Sequence, residues 1–144
     1  MSKNNDPALA ALFAAAKRAQ AAAHAPYSRF PVGAAIRAAS GAIYAGCNVE
    51  NAAHPQGACA EANAIGAMVL AGERRIVDIL VVGDGEELCT PCGGCRQRIR
   101  EFADERTLVH VAGPKGVRAT FRLAALLPES FGPEHLEADA PRAL

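Results

Sequence analysis

The run CAEANAIGAMVLA at residues 59–71, followed by IVDILVV at 76–82 and PCGGCRQRIREFA at 91–103, decides how this chain folds. The first run has no proline, is rich in helix formers and meets Gly72, a residue suited to a C-terminal cap, so it predicts a helix over 60–71. The second is a short apolar run of branched residues, the pattern of a buried central strand. The third predicts a helix over 93–103. Cys59 and Glu61 therefore stand at one helix start, and Cys92 and Cys95 at another. Three thiolates with a carboxylate close by suit chemistry, because catalytic zinc takes three protein ligands and leaves the fourth position to water or substrate. Three thiolates on Zn²⁺ leave a net charge of −1, which backbone N–H groups and the positive helix ends can offset. Zinc can lower the pKa of bound water from about 15.7 to about 7, within reach of a nearby carboxylate.

Working outward, Asp6 and Pro7 read as an N-cap and first-turn proline, with Leu9, Leu12, Phe13 and Ala16 on one helical stripe. A signal-peptide reading of the run from Pro7 to Ala16 is the weaker alternative. Val32 to Arg37 and Ile43 to Cys47 predict a hairpin about a turn at Ser40-Gly41. Leu108 to Val111 and Val117 to Phe121 add two strands, and Leu123 to Leu127 a helical turn stopped by Pro128. Strands alternating with helices predict an α/β layered domain with helices on both sheet faces. No repeat or linker divides the 144 residues, so the expectation is a single domain over 1–144, with 132–144 a loose C-terminal tail.

Fifteen basic and fifteen acidic residues balance, so no overall field draws the chain to nucleic acid or an anionic membrane; a small neutral substrate is expected. No apolar stretch approaches the ~20 residues that span a bilayer. Five cysteines cannot all pair within one chain, and their clustering points to metal binding in a reducing, cytoplasmic compartment.

The motif also resembles the zinc-deaminase signature, in which cysteine can replace histidine in H-x-E ahead of P-C-x-x-C. Pro91 to Gln97, Asn48-Val49-Glu50-Asn51-Ala52, Tyr27 to Ala34 and Leu126 to Glu134 resemble the small, homotetrameric cytidine deaminases in the family's order, over residues from about 26 to 136. The resemblance implies a three-layer α/β/α sandwich with a five-stranded mixed sheet and one Zn²⁺ per chain held by Cys59, Cys92 and Cys95. It implies hydrolysis of cytidine and deoxycytidine to uridine and deoxyuridine, with Glu61 moving a proton to ring N3 and then to the departing ammonia. It also implies that Asn48 and Glu50 hold the ribose 3′-OH, that Val49 supplies backbone contact, that Phe30 packs on the pyrimidine and that the Ala60 carbonyl meets the base amino group. Tyr27 and Phe131 resemble aromatics that cross subunit boundaries to complete shared active sites.

Each assignment has a plainer counterpart. Glu61 alone would be a first-turn capping acid. Cys89 with Cys92 and Cys95 has a spacing seen in iron–sulfur proteins, and Cys89 or Cys47 could close a four-cysteine structural site. Phe30, Tyr27 and Phe131 could be core aromatics. A deaminase for another aminopyrimidine nucleoside, such as a nucleoside antibiotic, and a non-catalytic zinc domain are the alternative functions. Two departures from the family stand out: many relatives carry an arginine where this chain has Ala62, leaving Arg96 as the candidate replacement donor to the thiolates, and His54 stands where an aromatic is frequent. His54 could stack, titrate or serve as a fourth ligand.

Overall fold

The computed structural model describes residues 6–136. Its elements in chain order are α1 (Pro7–Ala21), β1 (Val32–Ala38), β2 (Ile43–Cys47), α2 (Ala60–Leu70), β3 (Ile76–Gly83), α3 (Gly93–Glu101), β4 (Leu108–Gly113), β5 (Gly116–Arg122) and α4 (Leu123–Leu126). Short 3₁₀ turns cover His54–Gln56 and Pro133–His135. The α1 start is as expected: Asp6 accepts from the Ala8 N–H at 3.0 Å and Pro7 opens the helix.

The five strands form one mixed sheet in the order β2-β1-β3-β4-β5. β1 runs antiparallel to both β2 and β3, β3 is parallel to β4, and β4 is antiparallel to β5. The hairpin turn passes through Gly41 at φ 90°, a left-handed conformation that glycine adopts without strain. The parallel β3–β4 pair needs a crossover, and α3 supplies it.

Both sheet faces are covered. Ala34, Ile36, Ile79, Val109 and Val111 pack with Ala64, Met68 and Ile99 from α2 and α3. The alternate residues Ala35, Leu80, Val82 and Ala112 pack beneath Leu9, Leu12 and Ala16 of α1. Period-two alternation in the strands thus divides the core into two layers. Beyond the reach of α1, Asp78 lies on that same face and is buried, held by Arg37 through two hydrogen bonds of 2.9 and 2.6 Å and by His110 at 3.0 Å. His110 in turn meets Thr120 at 2.8 Å, so the network ties β1, β3, β4 and β5.

One glycine sets where the site lies. A Cβ on Gly46 of β2 would fall 2.4 Å from the Ala64 N and 2.7 Å from the Ala60 O, so α2 rests directly on strand backbone. That close approach fixes the N-terminus of α2, where Cys59 is the N-cap residue. In the C-terminal segment the Pro133–His135 turn is pinned by an Arg100–Glu134 ion pair at 2.5 Å; the remainder of the expected tail, 137–144, lies outside the described residues.

Candidate active site

Cys59 precedes the first turn of α2, Glu61 lies within that turn, and Cys92 is the N-cap residue of α3 with Cys95 one turn inside. α2 and α3 pack against each other on one sheet face, which brings the two helix starts together. The sulfurs of Cys59, Cys92 and Cys95 all lie within 4.8 Å of one another, and the Cys59–Cys92 pair is 4.0 Å apart. Zn–S bonds of about 2.3 Å in a tetrahedral site set sulfurs about 3.8 Å apart, so the donor set fits zinc with a small contraction. Cys89 and Cys47 stand outside this set, which removes the four-cysteine and iron–sulfur alternatives for the described cluster. All five cysteines are free thiols.

The electrostatics favour a cation at the centre. Burial first, then the neighbouring Cys92 and Glu61 charges, push the Cys59 thiol up, and burial with Glu61 and the other thiols pushes Cys95 up strongly. Cys92 goes the other way, lowered chiefly by the backbone amide of Cys95 that faces it. Burial raises Cys89 to about 11, with Glu61 adding to the effect. Several acids compete to remain protonated, and a divalent cation relieves that repulsion by taking their protons' place.

Glu61 is only 5 % exposed. Burial raises its pKa, opposed by its own backbone N–H, by Cys95 and by the Arg98 guanidinium. A carboxyl in that state, at the edge of a metal donor set, can hold a proton and release it.

A family model described as the cytidine and deoxycytidylate deaminase zinc-binding region matches residues 8–111, a span that contains all four of these side chains. This chain belongs to that deaminase family. The cytidine deaminase of Sporosarcina psychrophila is 43% identical over 125 residues, covering 87% of this chain and 92% of that protein. The cytidine deaminase of Mycobacterium tuberculosis is 37% identical over 122 residues, covering 84% and 87%. Among solved structures, the cytidine deaminase from Burkholderia pseudomallei superimposes with a TM-score of 0.79 at 39% identity, over 85% of this chain and 98% of that one. A crystal structure of the Mycobacterium tuberculosis enzyme gives 0.75 at 36% identity, over 88% and 99%. Zinc is thus the cofactor of this deaminase fold, and the three-sulfur group is able to hold one such ion.

Residues 27–31 form a loop whose backbone is pinned from the 48–50 segment. Asn48 accepts from the Val32 N–H at 2.8 Å and donates to the Phe30 carbonyl at 3.0 Å. Glu50 accepts from the Tyr27 and Ser28 amides at 3.0 and 3.1 Å. The Ser28 hydroxyl, helped by those amides, holds the Glu50 carboxyl below its ordinary range. Arg29 takes a left-handed φ of 56°, a strained turn that this pinning sustains and that presents Phe30. The Phe30 ring is 40 % exposed and passes beside Gly83, where a Cβ would meet it at 3.1 Å and the Cys89 sulfur at 2.7 Å. Phe30 is therefore no core aromatic.

The backbone N–H and C=O of Val49 both bond to Ala58 at 2.9 Å, the carbonyl keeping its second lone pair, and the side chain is exposed. Tyr27 and Phe131 are more than half exposed. Tyr27 meets His54 edge-on at 5.6 Å, and His54 stands outside the three-sulfur group. Phe131 stacks on His135 at 4.9 Å, and its carbonyl accepts from Gln97 on α3. Arg96 does not face the thiolates: it donates to the Pro91 and Leu126 carbonyls at 2.7 and 2.9 Å and to Thr90 Oγ1 at 3.3 Å. Arg98, which sequence reasoning passed over, donates to the Cys95 sulfur at 3.7 Å. Its signal was the i, i+3 spacing from Cys95 on a helix. No helix among the described residues is long and apolar enough to cross a membrane.

Proposed function

We propose that this chain catalyses hydrolytic deamination of cytidine and deoxycytidine to uridine and deoxyuridine with release of ammonia. The observation that carries the reading is the buried Glu61 carboxyl beside the three-sulfur group, inside the matched zinc-binding region. Bound zinc supplies a water activated for attack at neutral pH. Glu61 does the proton work: its carboxylate takes a proton, passes it to ring N3 and later protonates the departing ammonia. Its burial suits that alternation, since a low-dielectric site narrows the gap between the acid and base forms.

The substrate lies against the 27–31 loop. Phe30 packs on the pyrimidine, the Ala60 carbonyl receives the exocyclic amino group, Asn48 and Glu50 hold the 3′-OH, and Val49 supplies backbone contact. The exposed aromatics Tyr27 and Phe131 support a homotetramer in which neighbouring subunits complete each site. The single continuous sheet supports one domain, and five free thiols support a reducing, cytoplasmic setting.

The test is ultraviolet absorbance of cytidine incubated with the zinc-loaded protein, with ammonia quantified in the same tube. Loss of cytidine with equimolar ammonia is expected. Bound zinc with no ammonia from cytidine or any aminopyrimidine nucleoside would make this a non-catalytic zinc domain, and turnover of another such nucleoside in place of cytidine would move the substrate assignment. Sedimentation of a stable, active monomer would remove the shared site.

A further inference from the structure

We infer that Arg98 is the positioning residue that offsets the charge of the three-thiolate zinc centre in this chain, holding the Cys95 sulfur in ligating orientation through its Nη1–H···Sγ hydrogen bond. The inference deepens the proposed reading and rests on Cys59, Cys92 and Cys95 holding zinc.

Charge makes the demand. A divalent cation with three thiolates carries −1, and Glu61 adds a second negative group to the same pocket whenever it is ionised. The two helix N-termini offset part of this through partial charges of roughly half a unit each. No cation follows Glu61 on α2, where Ala62 and Asn63 stand; the Asn63 amide donates instead to the Cys47 carbonyl at 2.7 Å. Arg96 is spent on three oxygens that tie the 90–91 loop and α4 to the start of α3.

Arg98 remains, and the structure points it at the metal centre. Its Nη1 lies 3.7 Å from Cys95 Sγ, a hydrogen-bond length for the larger sulfur acceptor. Among the described residues it makes no ion pair and no second hydrogen bond, and its charge acts within this pocket, on the Cys95 sulfur and on the Glu61 carboxyl. The lane it occupies is kept open by Gly94, one helical turn earlier: a Cβ there would sit 3.2 Å from Arg98 Nη1. A glycine before the ligating cysteine and an arginine three residues after it thus act as a pair.

Groups that hydrogen-bond metal ligands typically change metal affinity by about 10–100-fold when removed. Three readouts test the inference on the purified full chain: zinc affinity by competition with a chromophoric chelator, thermal melting with and without zinc, and the sulfur-to-metal charge-transfer band of the Co²⁺ form. Arg98→Met should weaken zinc by about 10–100-fold, leave the zinc-free melting curve in place, and move the Co²⁺ band to lower energy because the thiolate has lost a donor. Arg98→Lys should recover part of the affinity through its charge. Gly94→Ala, which keeps the arginine but crowds it, should weaken zinc in the parent and have no further effect on top of Arg98→Met. An Arg98→Met protein with zinc affinity within twofold of the parent and an unmoved Co²⁺ band would overturn the inference while leaving the zinc site standing. Equal loss of melting temperature with and without zinc would overturn it too, by making Arg98 a structural residue. A parent chain that binds no zinc would sink both readings together.

Discussion

Gly46→Ala is the smallest change that tests how the fold aims the active site. The new Cβ would sit 2.4 Å from the Ala64 N, 2.7 Å from the Ala60 O and 2.8 Å from the Asn63 C, all backbone atoms with no rotamer to yield. Ordinary contact begins at 3.4 Å, so α2 must withdraw from β2 by about 1 Å. Overpacking of this kind costs about 1–3 kcal/mol. The larger effect falls on chemistry, because Cys59 caps the displaced helix and Glu61 lies in its first turn, while Cys92 and Cys95 stay with α3. A misplacement of about 1 Å among reacting groups can cost on the order of 10²-fold in rate, so kcat/KM for cytidine should fall by about two orders of magnitude. Zinc affinity should fall with it. The assay is kcat/KM, zinc content and melting temperature on the same preparation. β2 is an edge strand and could move instead of α2. In that event the protein would lose stability yet keep its zinc and its rate, and the reasoning that Gly46 aims the catalytic helix would be refuted.

Other expectations follow from the same geometry. Glu61→Gln should retain one zinc per chain and lose about 10²–10⁴-fold in kcat, the range for a single general acid–base; full activity would be fatal to the proton assignment. Glu50→Ala should cost about 10–100-fold in kcat/KM for cytidine, as expected for a hydrogen bond to a charged group, yet change little for 3′-deoxycytidine; equal loss on both substrates would mean that Glu50 acts only by pinning the 27–28 amides. Asp78→Asn strands Arg37 and His110 and should destabilise the fold by about 3 kcal/mol in urea melts. Burial alone would raise Asp78, but hydrogen bonds from His110 and Arg37 outweigh it and hold the carboxyl below the ordinary aspartate range. The folded state therefore binds fewer protons than the unfolded one, and this stabilisation is complete above the unfolded pKa and lost as pH falls through the lower folded one. The variant's acid limb should flatten over that window; an unchanged limb would count against the network.

What could be read from the chain alone was whatever depends on short-range spacing. The apolar strand runs, the Asp6-Pro7 helix start and the glycine-marked ends of the hairpin and of α2 are local choices with local causes, and all stand within a residue or two of where the pattern placed them. The zinc group was legible for the same reason, since Cys59 and Cys92 fall at N-caps and Cys95 one turn inside a helix, positions that the sequence marks directly. Family resemblance narrowed the rest to one chemistry. Side-chain partners set by distant segments were not legible. Asn48 and Glu50 stand two apart in the chain, but only the fold shows that both reach the 27–32 backbone. The two arginines of α3 make the division plain. Arg96 is adjacent to Cys95 in the chain but one step on a helix turns it about 100° away, toward the Pro91 and Leu126 carbonyls, whereas Arg98, three residues on, returns to the sulfur's face. Composition and spacing determined which atoms could hold a metal. Packing of α2 on Gly46 and of α3 against α2 decided that they meet, because the distance between two helix starts is a property of the core between them.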